Sequence, residues 1–539
     1  MSMHYNPFRG SGLDTVQPGD KRTLRRRQHV ALPLAVFAMS LALYIRTLAP
    51  TITWQHDGYD GGDLITAAYT LGIPHPTGYP TYMLLGQSVT RLPCGDIAYR
   101  MNLLSAVSAA LAVGLCCAAC LSVLGRSRYA TVGAASAVLI LATSRVFWSQ
   151  AVITEVYAVN AAFFSVVMYL TLDSLARLAE CGDSTSGRER LLRSLSLLTL
   201  ASAASLGNHL TMLLAFPLLA FLFQAVARRR MLRRMDWAFL ASLAFLGLSV
   251  YLYLPLRAGR EPLLNWGNPR NLSGFLWVVS GAIYRHFVLS LPSTYWLPRV
   301  AAWIALVNSQ FGSLATALGL VGAWTHYRRA PQQFIALLLT ALLFSAYAIG
   351  YNTTDSYVYL LPVFLMCALW VAQGTQKVIE NSTRLWAGSP GTVAAVACAV
   401  ALVLPLHSLR SNLRAVDLHA DRTAYDYGSQ ALAQVPDRSL IISSSDAHTF
   451  TLWYFARVVT GRAPDVAVVD RDLLVYDWYI GGLRTLHPWL RLPDPLPSDG
   501  LIVESLIQAN QATSTIFWAD ADEETRSRYG LQLHGVLYR

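Results

Sequence analysis

The sequence has little charge for its length. Asp, Glu, Lys and Arg make up 14% of its 539 residues, whereas hydrophobic residues make up 54%. A soluble domain carries about 25% charged residues, so this chain has too little polar surface to cover several water-soluble domains. Its apolar residues instead fall into blocks of roughly 18 or more, which is long enough to cross a bilayer. We therefore predict a polytopic α-helical membrane protein.

Cysteines are also few, and the common nucleotide and hydrolase motifs are missing. Most of the seven cysteines lie inside apolar blocks, so neither a disulfide framework nor a paired CxxC zinc site can be drawn. The sequence has no GxxxxGK[ST] loop, no HExxH motif and no GxSxG at the end of a strand. Nucleotide hydrolysis, zinc proteolysis and serine hydrolysis of these types therefore have no support.

Basic residues give the chain a net charge of +11, but they occur in short runs between apolar blocks. This distribution is typical of membrane topology and not of a nucleic-acid surface. The richest runs lie at 21–27 and 228–234, which places the N-terminus and alternate loops in the cytoplasm of a multi-pass cell-membrane protein. About eleven apolar blocks are present, and this odd number places the C-terminus outside. The blocks run approximately over 31–48, 101–124, 129–147, 154–175, 194–208, 210–226, 237–255, 299–324, 333–350, 357–373 and 391–408.

The chain divides into three predicted regions. Residues 1–28 form a cytoplasmic basic N-terminus, 29–408 a transmembrane domain with its first outer loop at 50–99, and 409–539 an extracytoplasmic α/β domain. In the last region charge rises and long apolar runs stop. Short β-rich segments there alternate with helical ones, which favours a small α/β domain. The predicted strands are SLIIS at 439–443, DVAVV at 465–469 and STIFW at 514–518, and a helix is predicted at 448–459.

The residues best suited to catalysis are concentrated in the first outer loop. It holds Asp57, Asp60 and Asp63 together with His56 and His75 beside a membrane surface. One interpretation is a solvated turn in which Asp63 caps a helix that begins at Leu64. The other is that one carboxylate acts as general base on an acceptor hydroxyl. Composition alone leaves both interpretations open.

Seven blocks of the sequence stand out in order along the chain. They are DGGDLITAAYTLGIPHPTGYPTYMLLG, DIAYRMNLLSA, FWSQAVITEVYAVNAAF, SLGNHLTMLL, YLYLPLRA, PLLNWGNPRNLSGFLWVVSGAIYR and NTTDSYVYLLP. These blocks resemble, in order, those of one family of membrane glycosyltransferases, whose best known eukaryotic member O-mannosylates plexin-type immunoglobulin-like domains. The resemblance covers most of the chain to about residue 370 and is weaker in the tail segments SSSDAHTFTLWYF and APDVAVVDRDLL.

The resemblance implies a GT-C-like fold and a specific type of reaction. Such an enzyme moves a sugar, here mannose by family, from a polyprenyl-phosphate carrier to an acceptor hydroxyl on the extracytoplasmic face, usually with inversion. The implied partners are the lipid-linked donor, the bilayer and an exported protein (through Ser or Thr) or an envelope glycan, with no nucleic acid. No cofactor is implied, because the lipid-linked sugar is a substrate, and a divalent metal is left open.

The competing hypothesis is a transporter or flippase of a lipid-linked or anionic substrate, with acids and arginines along a translocation path. Such proteins tend to have interrupted helices in two related halves. No matching pair is visible in this sequence.

The resemblance also implies the catalytic residues. The family usually reads Asp-x-Gly-Glu in the first outer loop, and this chain has Asp60-Gly61-Gly62-Asp63. The second acid is therefore shorter by one methylene. We expect Asp60 to be the base and Asp63 to support it or to cap the helix.

Arginines at the outer ends of spans are candidates for the donor phosphate. Arg257 is the preferred candidate, because a guanidinium there would stabilise the negative charge of the leaving group. Arg285 and Arg270 are held in reserve. A snorkelling anchor is the alternative for Arg257.

The remaining candidates are predicted to bind substrate. Two prolines and a glycine rigidify the turn that carries His75 and Tyr79. Alternative structural roles are exposure for His75, an ion pair with Arg145 for Glu155, and helix-end caps for Asn208 and His209. Asp446 and His448 are predicted to be a helix cap and its neighbour. The substrate-binding candidates are His75, Tyr79, Arg100, Glu155, Tyr157, Asn208, His209 and Asp355.

Overall fold

The computed structural model describes residues 18–125, 127–180, 185–386, 388–493 and 501–539. Most of the predicted N-terminal region therefore lies outside the described residues. The rest of the first three quarters of the chain is a bundle of helices. These are α1 (Pro18–Arg46), α2 (Gly61–Thr70), α3 (Pro80–Val89), α4 (Ile97–Leu124), α5 (Ala130–Ala142), α6 (Arg145–Ser149), α7 (Val156–Glu180), α8 (Thr185–Leu206), α9 (Phe216–Arg228), α10 (Arg234–Leu248), α11 (Tyr253–Ala258), α12 (Leu272–Val279), α13 (Trp296–Phe311), α14 (Ser313–Arg329), α15 (Pro331–Gly350), α16 (Leu361–Leu385) and α17 (Pro390–Val416).

Fewer helices than predicted have the length and composition of a membrane span. Among the described residues seven qualify, or eight if the pair α13 and α14, bent by 103°, counts as one. The predicted block 299–324 is thus broken at Gly312, where α13 ends and α14 begins. Helix α5 has 13 residues and is about 20 Å long, shorter than the roughly 30 Å hydrocarbon core. The polytopic helical architecture is confirmed, but the count of about eleven is not.

Small residues set the closest helix packing in the bundle. Gly322 of α14 and Gly374 of α16 lie at the contact between these two helices. A Cβ on Gly322 would overlap the carbonyl of Trp370, and a Cβ on Gly374 would overlap the carbonyl of Leu318. Small side chains permit this approach, because van der Waals contact between backbones replaces the hydrophobic driving force inside a bilayer. The α14–α16 pair is therefore a rigid part of the scaffold.

The C-terminal part of the chain forms a sheet flanked by helices. Strands β1 and β2 are buried along their whole length, as expected for a parallel sheet with covered faces. Strand β1 pairs in parallel with β2 and β3, and β5 pairs antiparallel with β3 and β4, which gives the order β2-β1-β3-β5-β4 for the described residues. The elements are α18 (Thr423–Gln434), β1 (Ser439–Ser443), α19 (Asp446–Tyr454), β2 (Val466–Asp470), α20 (Asp477–Leu486), α21 (Ile502–Asn510), β3 (Ile516–Trp518), α22 (Glu523–Tyr529), β4 (Leu533–His534) and β5 (Leu537–Tyr538).

Strands β1, β2 and β3 overlap the three predicted strands, whereas β4 and β5 were not predicted. The transition from the bundle also differs from the prediction. The predicted boundary at 409 falls inside α17, which continues to Val416. The predicted helix at 448–459 begins two residues earlier, as α19, and its last turn, Phe455–Val459, is a π-helix.

Helix α19 packs directly on α2 and thereby joins the C-terminal part to the first outer loop. The indole Nε1 of Trp54 donates to the Ala447 carbonyl at 3.0 Å and to Thr451 Oγ1 at 2.9 Å. Gly62 of α2 lies so close to the carbonyl of Phe450 that any Cβ there would overlap it. The start of α2 is therefore enclosed by residues from both ends of the chain.

Candidate active site

The two acids of the Asp60-Gly61-Gly62-Asp63 motif have very different surroundings. Helix α2 begins at Gly61, so Asp60 occupies its N-cap position, but its side chain makes no capping hydrogen bond. The Asp60 side chain is 37% exposed, whereas that of Asp63 is 0% exposed. The expectation that Asp63 caps a helix starting at Leu64 is wrong, because Asp63 lies inside the first turn of α2.

Asp63 is held by three donors among the described residues. Its Oδ2 accepts from the backbone nitrogen of His75 at 2.9 Å and from His75 Nδ1 at 2.8 Å. Its Oδ1 accepts from Trp266 Nε1 at 3.0 Å. Such a saturated, buried carboxylate orients its partners and is poorly placed to take a proton from a substrate.

His75 connects the buried acid to the exposed one. Its Nε2 lies 3.6 Å from Asp60 Oδ2 and 3.1 Å from the Tyr79 hydroxyl. Because that hydroxyl donates its proton to the Pro76 carbonyl at 3.2 Å, it accepts from Nε2, and both ring nitrogens then carry protons. Burial opposes the charged ring, but the carboxylates of Asp60 and Asp63 outweigh it and raise the pKa of His75 to about 9.

The surroundings of Asp60 shift the pKa of its carboxyl in opposite directions. Burial in the surrounding protein raises the pKa of its carboxyl, the His75 imidazolium lowers it, and the charges of Asp63 and Asp355 raise it again. The net shift is upward from the ordinary value. A carboxylate of raised pKa is a stronger base, which suits general-base chemistry.

Aromatic rings continue the site away from His75. The ring of His209 lies 6.2 Å from that of Tyr79, 5.8 Å from Tyr157 and 5.6 Å from Tyr359. The adjacent Asn208 is buried and donates through Nδ2 to the Val156 carbonyl at 3.2 Å. The predicted residues Tyr79, Tyr157 and His209 thus form one continuous wall.

Two further predicted acids lie within electrostatic reach of Asp60. Burial raises the pKa of Glu155 well above its usual range, and the charges of Asp60 and Asp355 raise it further. The loop that carries Asp355 is held by Arg299, which donates to Ser356 Oγ at 3.0 Å and to the Thr353 carbonyl at 2.8 Å. Arg299 was not singled out from the sequence, because nothing in the sequence signals this loop contact.

Comparisons with known proteins match two separate parts of the chain to domains of one family. Residues 60–231 match the family described as "Protein O-mannosyl-transferase TMEM260 N-terminal domain", and 424–488 match "TMEM260-associated domain 2". By these two matches the chain is similar to an O-mannosyltransferase-like family of GT-C glycosyltransferases. The family resemblance and the glycosyltransferase activity predicted from the sequence are thereby confirmed.

The matching relatives are distant in sequence but extend over most of this chain. The transferase is 25% identical to the protein O-mannosyl-transferase TMEM260 of Mus musculus over 507 residues, which are 88% of this chain and 68% of the relative. It is 21% identical to the protein O-mannosyl-transferase tmem260 of Dictyostelium discoideum, over 90% of this chain and 63% of that relative. The chain therefore spans about two thirds of the length of these relatives.

Solved structures support the fold. The crystal structure of ArnT from Cupriavidus metallidurans bound to undecaprenyl phosphate aligns with a TM-score of 0.58 at 13% identity, over 94% of this chain and 97% of ArnT. The apo form aligns with a TM-score of 0.56. At this level of identity the likeness concerns the fold, and it confirms the predicted GT-C-like architecture.

The predicted arginines of the transferase have different positions relative to the acid pair. Arg257 donates through Nε to the Leu71 carbonyl at 2.6 Å and through Nη2 to the Thr70 carbonyl at 3.4 Å. It therefore binds the end of α2 opposite to Asp60. Arg285 is exposed and follows Tyr284, whose ring lies 6.3 Å from that of His75.

Two other arginines are occupied by structural contacts. Arg100 donates from all three guanidinium nitrogens to the carbonyls of Thr90, Cys94 and Gly95, which ties its own loop together. Arg270 donates to the Ala258 carbonyl at 2.8 Å and pairs with Glu261 at 2.7 Å. Substrate contact by Arg100 thus gains no support from its geometry and stays a prediction.

Sequence reasoning missed the contribution of the C-terminal part to the site. Phe450 of α19 stacks on His75 with 6.4 Å between ring centroids and 7° between planes. Asp446 was expected to be a helix cap, but the N-cap is Ser445, and the charge of Asp446 instead raises the pKa of His75. Burial first, and then Asp60, raise the pKa of Asp446 to about 7. The weak family similarity in SSSDAHTFTLWYF was the signal that could have identified these residues.

His448 lies beside this site and not in it. Its Nδ1 is 3.4 Å from Asp520 Oδ2, and its ring packs against Trp54 and Tyr427. Within the described ranges, no group of three or more His, Cys, Asp or Glu side chains is placed to hold a metal ion.

Proposed function

We propose that the transferase moves a hexose, mannose by its family, from a polyprenyl-phosphate carrier to an acceptor hydroxyl on the extracytoplasmic face. The observation that carries this proposal is the asymmetry of the acid pair. Asp63 is fully buried and saturated with hydrogen bonds, whereas Asp60 is 37% exposed beside the His75 imidazole. Asp60 is thus the member of the pair that a substrate can reach.

The reaction needs a base on one side of the sugar and positive charge on the other. Asp60 accepts the proton of the acceptor hydroxyl while the hydroxyl oxygen bonds to the anomeric carbon of the sugar. The bond from that carbon to the phosphate oxygen breaks, and the polyprenyl phosphate leaves with the electron pair. Attack opposite the leaving group inverts the anomeric centre.

Arg285 is better supported than Arg257 as the ligand of the departing phosphate. Arg285 is exposed on the short helix whose Tyr284 faces His75, whereas two nitrogens of Arg257 bind carbonyls at the far end of α2. A guanidinium stabilises phosphate charge by paired, charge-assisted hydrogen bonds. Arg257 then supports the site by anchoring α2.

The orientation follows from the basic runs. Helix α9 ends in Arg228, next to the run 228–234, and the preceding turn begins beside His209 in the aromatic wall. If that run is cytoplasmic, as the positive-inside rule requires, the acid pair faces the opposite side. Because α19 packs on α2, we infer that the C-terminal α/β domain lies on that side too. The basic run at 21–27 supports a cytoplasmic N-terminus by the same rule.

Names and titles of similar proteins support the substrate classes. The relatives are named protein O-mannosyl-transferases, and one ArnT structure is bound to undecaprenyl phosphate. For this chain we infer a polyprenyl-phosphate donor and Ser or Thr of an exported protein as acceptor, with an envelope glycan as the alternative. The hypothesis of a transporter or flippase has no comparable support.

Mass spectrometry of exported glycoproteins and envelope glycans from three strains tests the proposal. The strains are wild type, a gene deletion and Asp60→Asn, with membrane abundance of the variant measured. Loss of the same hexose-bearing product in both altered strains is the expected result and identifies the acceptor. An unchanged glycan profile in both altered strains, with the protein expressed in wild type, contradicts the transferase proposal. Loss of the product in the deletion strain alone contradicts the assignment of Asp60 as the base.

A further inference from the structure

Trp266 lines a cavity of about 520 Å³, and no residue of the aromatic wall is among its lining residues. One side is formed by the loop 261–270, and the other by α19, the π-turn that follows it and α20. Its volume is in the range of small-molecule sites, roughly 300–1,000 Å³. Neither the acid pair nor Arg257 or Arg285 lines it, whereas Arg270, the other reserve candidate for the donor phosphate, does.

The cavity wall is coupled to the catalytic loop by backbone and side-chain bonds. Ile73 donates to the Leu264 carbonyl at 2.8 Å, and Trp266 donates to the Ile73 carbonyl at 3.2 Å. The indole of Trp266 also donates to Asp63. One residue, Trp266, therefore touches both the buried acid and the cavity.

Aromatic rings form the base of the cavity. Trp266 and Trp478 lie with ring centroids 5.3 Å apart, and the guanidinium of Arg457 covers the ring of Trp453 at 4.7 Å. Trp478 is only half-buried, so part of its indole is available to a ligand. An indole face attracts the C–H groups of an apolar ligand surface, and its N–H bonds a polar group.

Polar groups around the aromatic base balance in charge. Glu261 pairs with Arg270, and the two other charged residues of the lining, Arg457 and Asp477, have opposite sign. The lining thus has no net charge to select an anion or a cation. Amide and carboxylate groups remain to bond hydroxyls, including the side chains of Asn265 and Asn268.

Some polar atoms of the lining are not satisfied by the protein. Asn265 Oδ1, Arg457 Nη1 and Trp478 Nε1 are buried and have no hydrogen-bond partner among the described residues. Buried polar atoms without a partner are costly. One acceptor and two donors beside aromatic faces match a ligand whose groups both donate and accept.

We propose that this cavity is a binding site for a neutral pyranose sugar unit of a glycan, distinct from the donor sugar at Asp60. The hydroxyls of such a ring both donate and accept hydrogen bonds, and its C–H face stacks on indole. The inference goes beyond the proposed function and does not require it, because binding here needs no proton transfer at Asp60.

Gly482 gives a direct way to block the cavity. It lines the cavity on α20, and a Cβ added there meets no atom within 4 Å, so we expect Gly482→Leu to occupy cavity space without a clash at its Cβ. Gly391→Leu is the matched control, because Gly391 is an equally open helical glycine on α17, outside this cavity. Trp478→Ala removes the stacking face without filling the space.

The test is saturation-transfer NMR with methyl α-mannopyranoside and methyl β-glucopyranoside on the full chain in lipid nanodiscs, since sugar-headed detergents would compete. We expect binding of at least one sugar to weaken by about tenfold or more in Gly482→Leu and Trp478→Ala, which corresponds to about 1.4 kcal/mol. Binding should persist in Gly391→Leu and in Asp60→Asn.

Three results overturn the inference. The first is that neither sugar binds the wild-type chain. The second is that both sugars bind Gly482→Leu as they bind wild type. The third is that binding depends on Asp60 and not on Gly482. The same variants are titrated with an unglycosylated Ser- and Thr-containing peptide. If Gly482→Leu blocks the peptide while no sugar binds, the cavity is a peptide site, and the sugar proposal is wrong.

Discussion

Asp63 holds His75 twice through a single oxygen. Its Oδ2 accepts from the backbone nitrogen of His75 at 2.9 Å and from ring Nδ1 at 2.8 Å. The bond to the backbone fixes the turn, and the bond to the ring fixes the orientation of the imidazole, so that Nε2 faces Asp60. The two acids therefore have separate tasks, and their substitutions should fail in different ways.

Asp60→Asn should abolish turnover without unfolding the protein. The amide is isosteric but cannot take the acceptor proton, and loss of a general base costs roughly 10²–10⁴ in rate. The measurement is transfer of labelled mannose from polyprenyl-phosphate mannose to an acceptor in isolated membranes, with donor binding measured in parallel. Turnover close to wild type in Asp60→Asn would assign the base to another residue.

Asp63→Asn should lower stability as well as activity. Removing one partner of a buried charge pair costs about 3–5 kcal/mol, because His75 loses the carboxylate that supports its charge. Trp266→Phe is the graded comparison, since it removes one of the donors to Asp63 and should cost about 1–3 kcal/mol. Thermal unfolding in nanodiscs should rank wild type above Trp266→Phe and Trp266→Phe above Asp63→Asn, and the reverse order of the variants would contradict the assigned roles.

The acid pair could be identified from the sequence because the motif is local. Asp60, Asp63, His75 and Tyr79 lie within twenty positions of one another, and the prolines and glycine around His75 and Tyr79 restrict the backbone of their turn. The start of α2 was misplaced, since an aspartate in a first helical turn and an N-cap aspartate give the same sequence pattern. Only the three-dimensional contacts show that Asp63 is saturated.

The pH dependence of stability should reveal the charge on His75. With a folded pKa of about 9 and an ordinary value near 6.5 in the unfolded chain, the protonated ring contributes roughly 3 kcal/mol of stability at low pH. This contribution is fully present below about pH 6.5 and is lost as pH rises through about 9. His75→Gln should therefore remove part of the decline in unfolding temperature between pH 7 and 10.

Asp446→Asn provides the matched control for this pH profile. Asp446 lies close enough to raise the pKa of His75 but is not one of its hydrogen-bond partners among the described residues. The variant should keep the alkaline decline and shift it to slightly lower pH. If wild type and His75→Gln lose stability in parallel over this range, His75 is not charged in the folded protein.

Contacts between distant segments could not be predicted from the sequence. Trp266 reaches Asp63 across 203 positions, and Phe450 stacks on His75 from the C-terminal part of the chain. The aromatic residues around Trp266 are also typical of a helix at the membrane interface, so they do not indicate a contact with Asp63. The predicted number of spans is not confirmed for a related reason, since hydropathy does not reveal the 103° bend between α13 and α14.

Two neighbouring glycines offer a test of whether docking of the C-terminal part is required for activity. A Cβ on Gly62 would overlap the carbonyl of Phe450, whereas a Cβ on Gly61 meets its nearest atom, the Thr154 carbonyl oxygen, at 3.7 Å. Gly62→Ala should force α19 away from α2 at a cost of about 1–3 kcal/mol. Gly61→Ala should be tolerated, because the contact is ordinary and alanine favours a helix by up to about 1 kcal/mol.

The readouts are mannose transfer and limited proteolysis of the chain in nanodiscs. Gly62→Ala should lose transfer and expose sites near 417–422, the link between α17 and α18, while Gly61→Ala matches wild type in both. Loss of transfer without new cleavage would place the damage within α2 itself. Full transfer in Gly62→Ala would show that the stacking of Phe450 on His75 is dispensable, and the C-terminal part would then act on the acceptor and not on the acid pair.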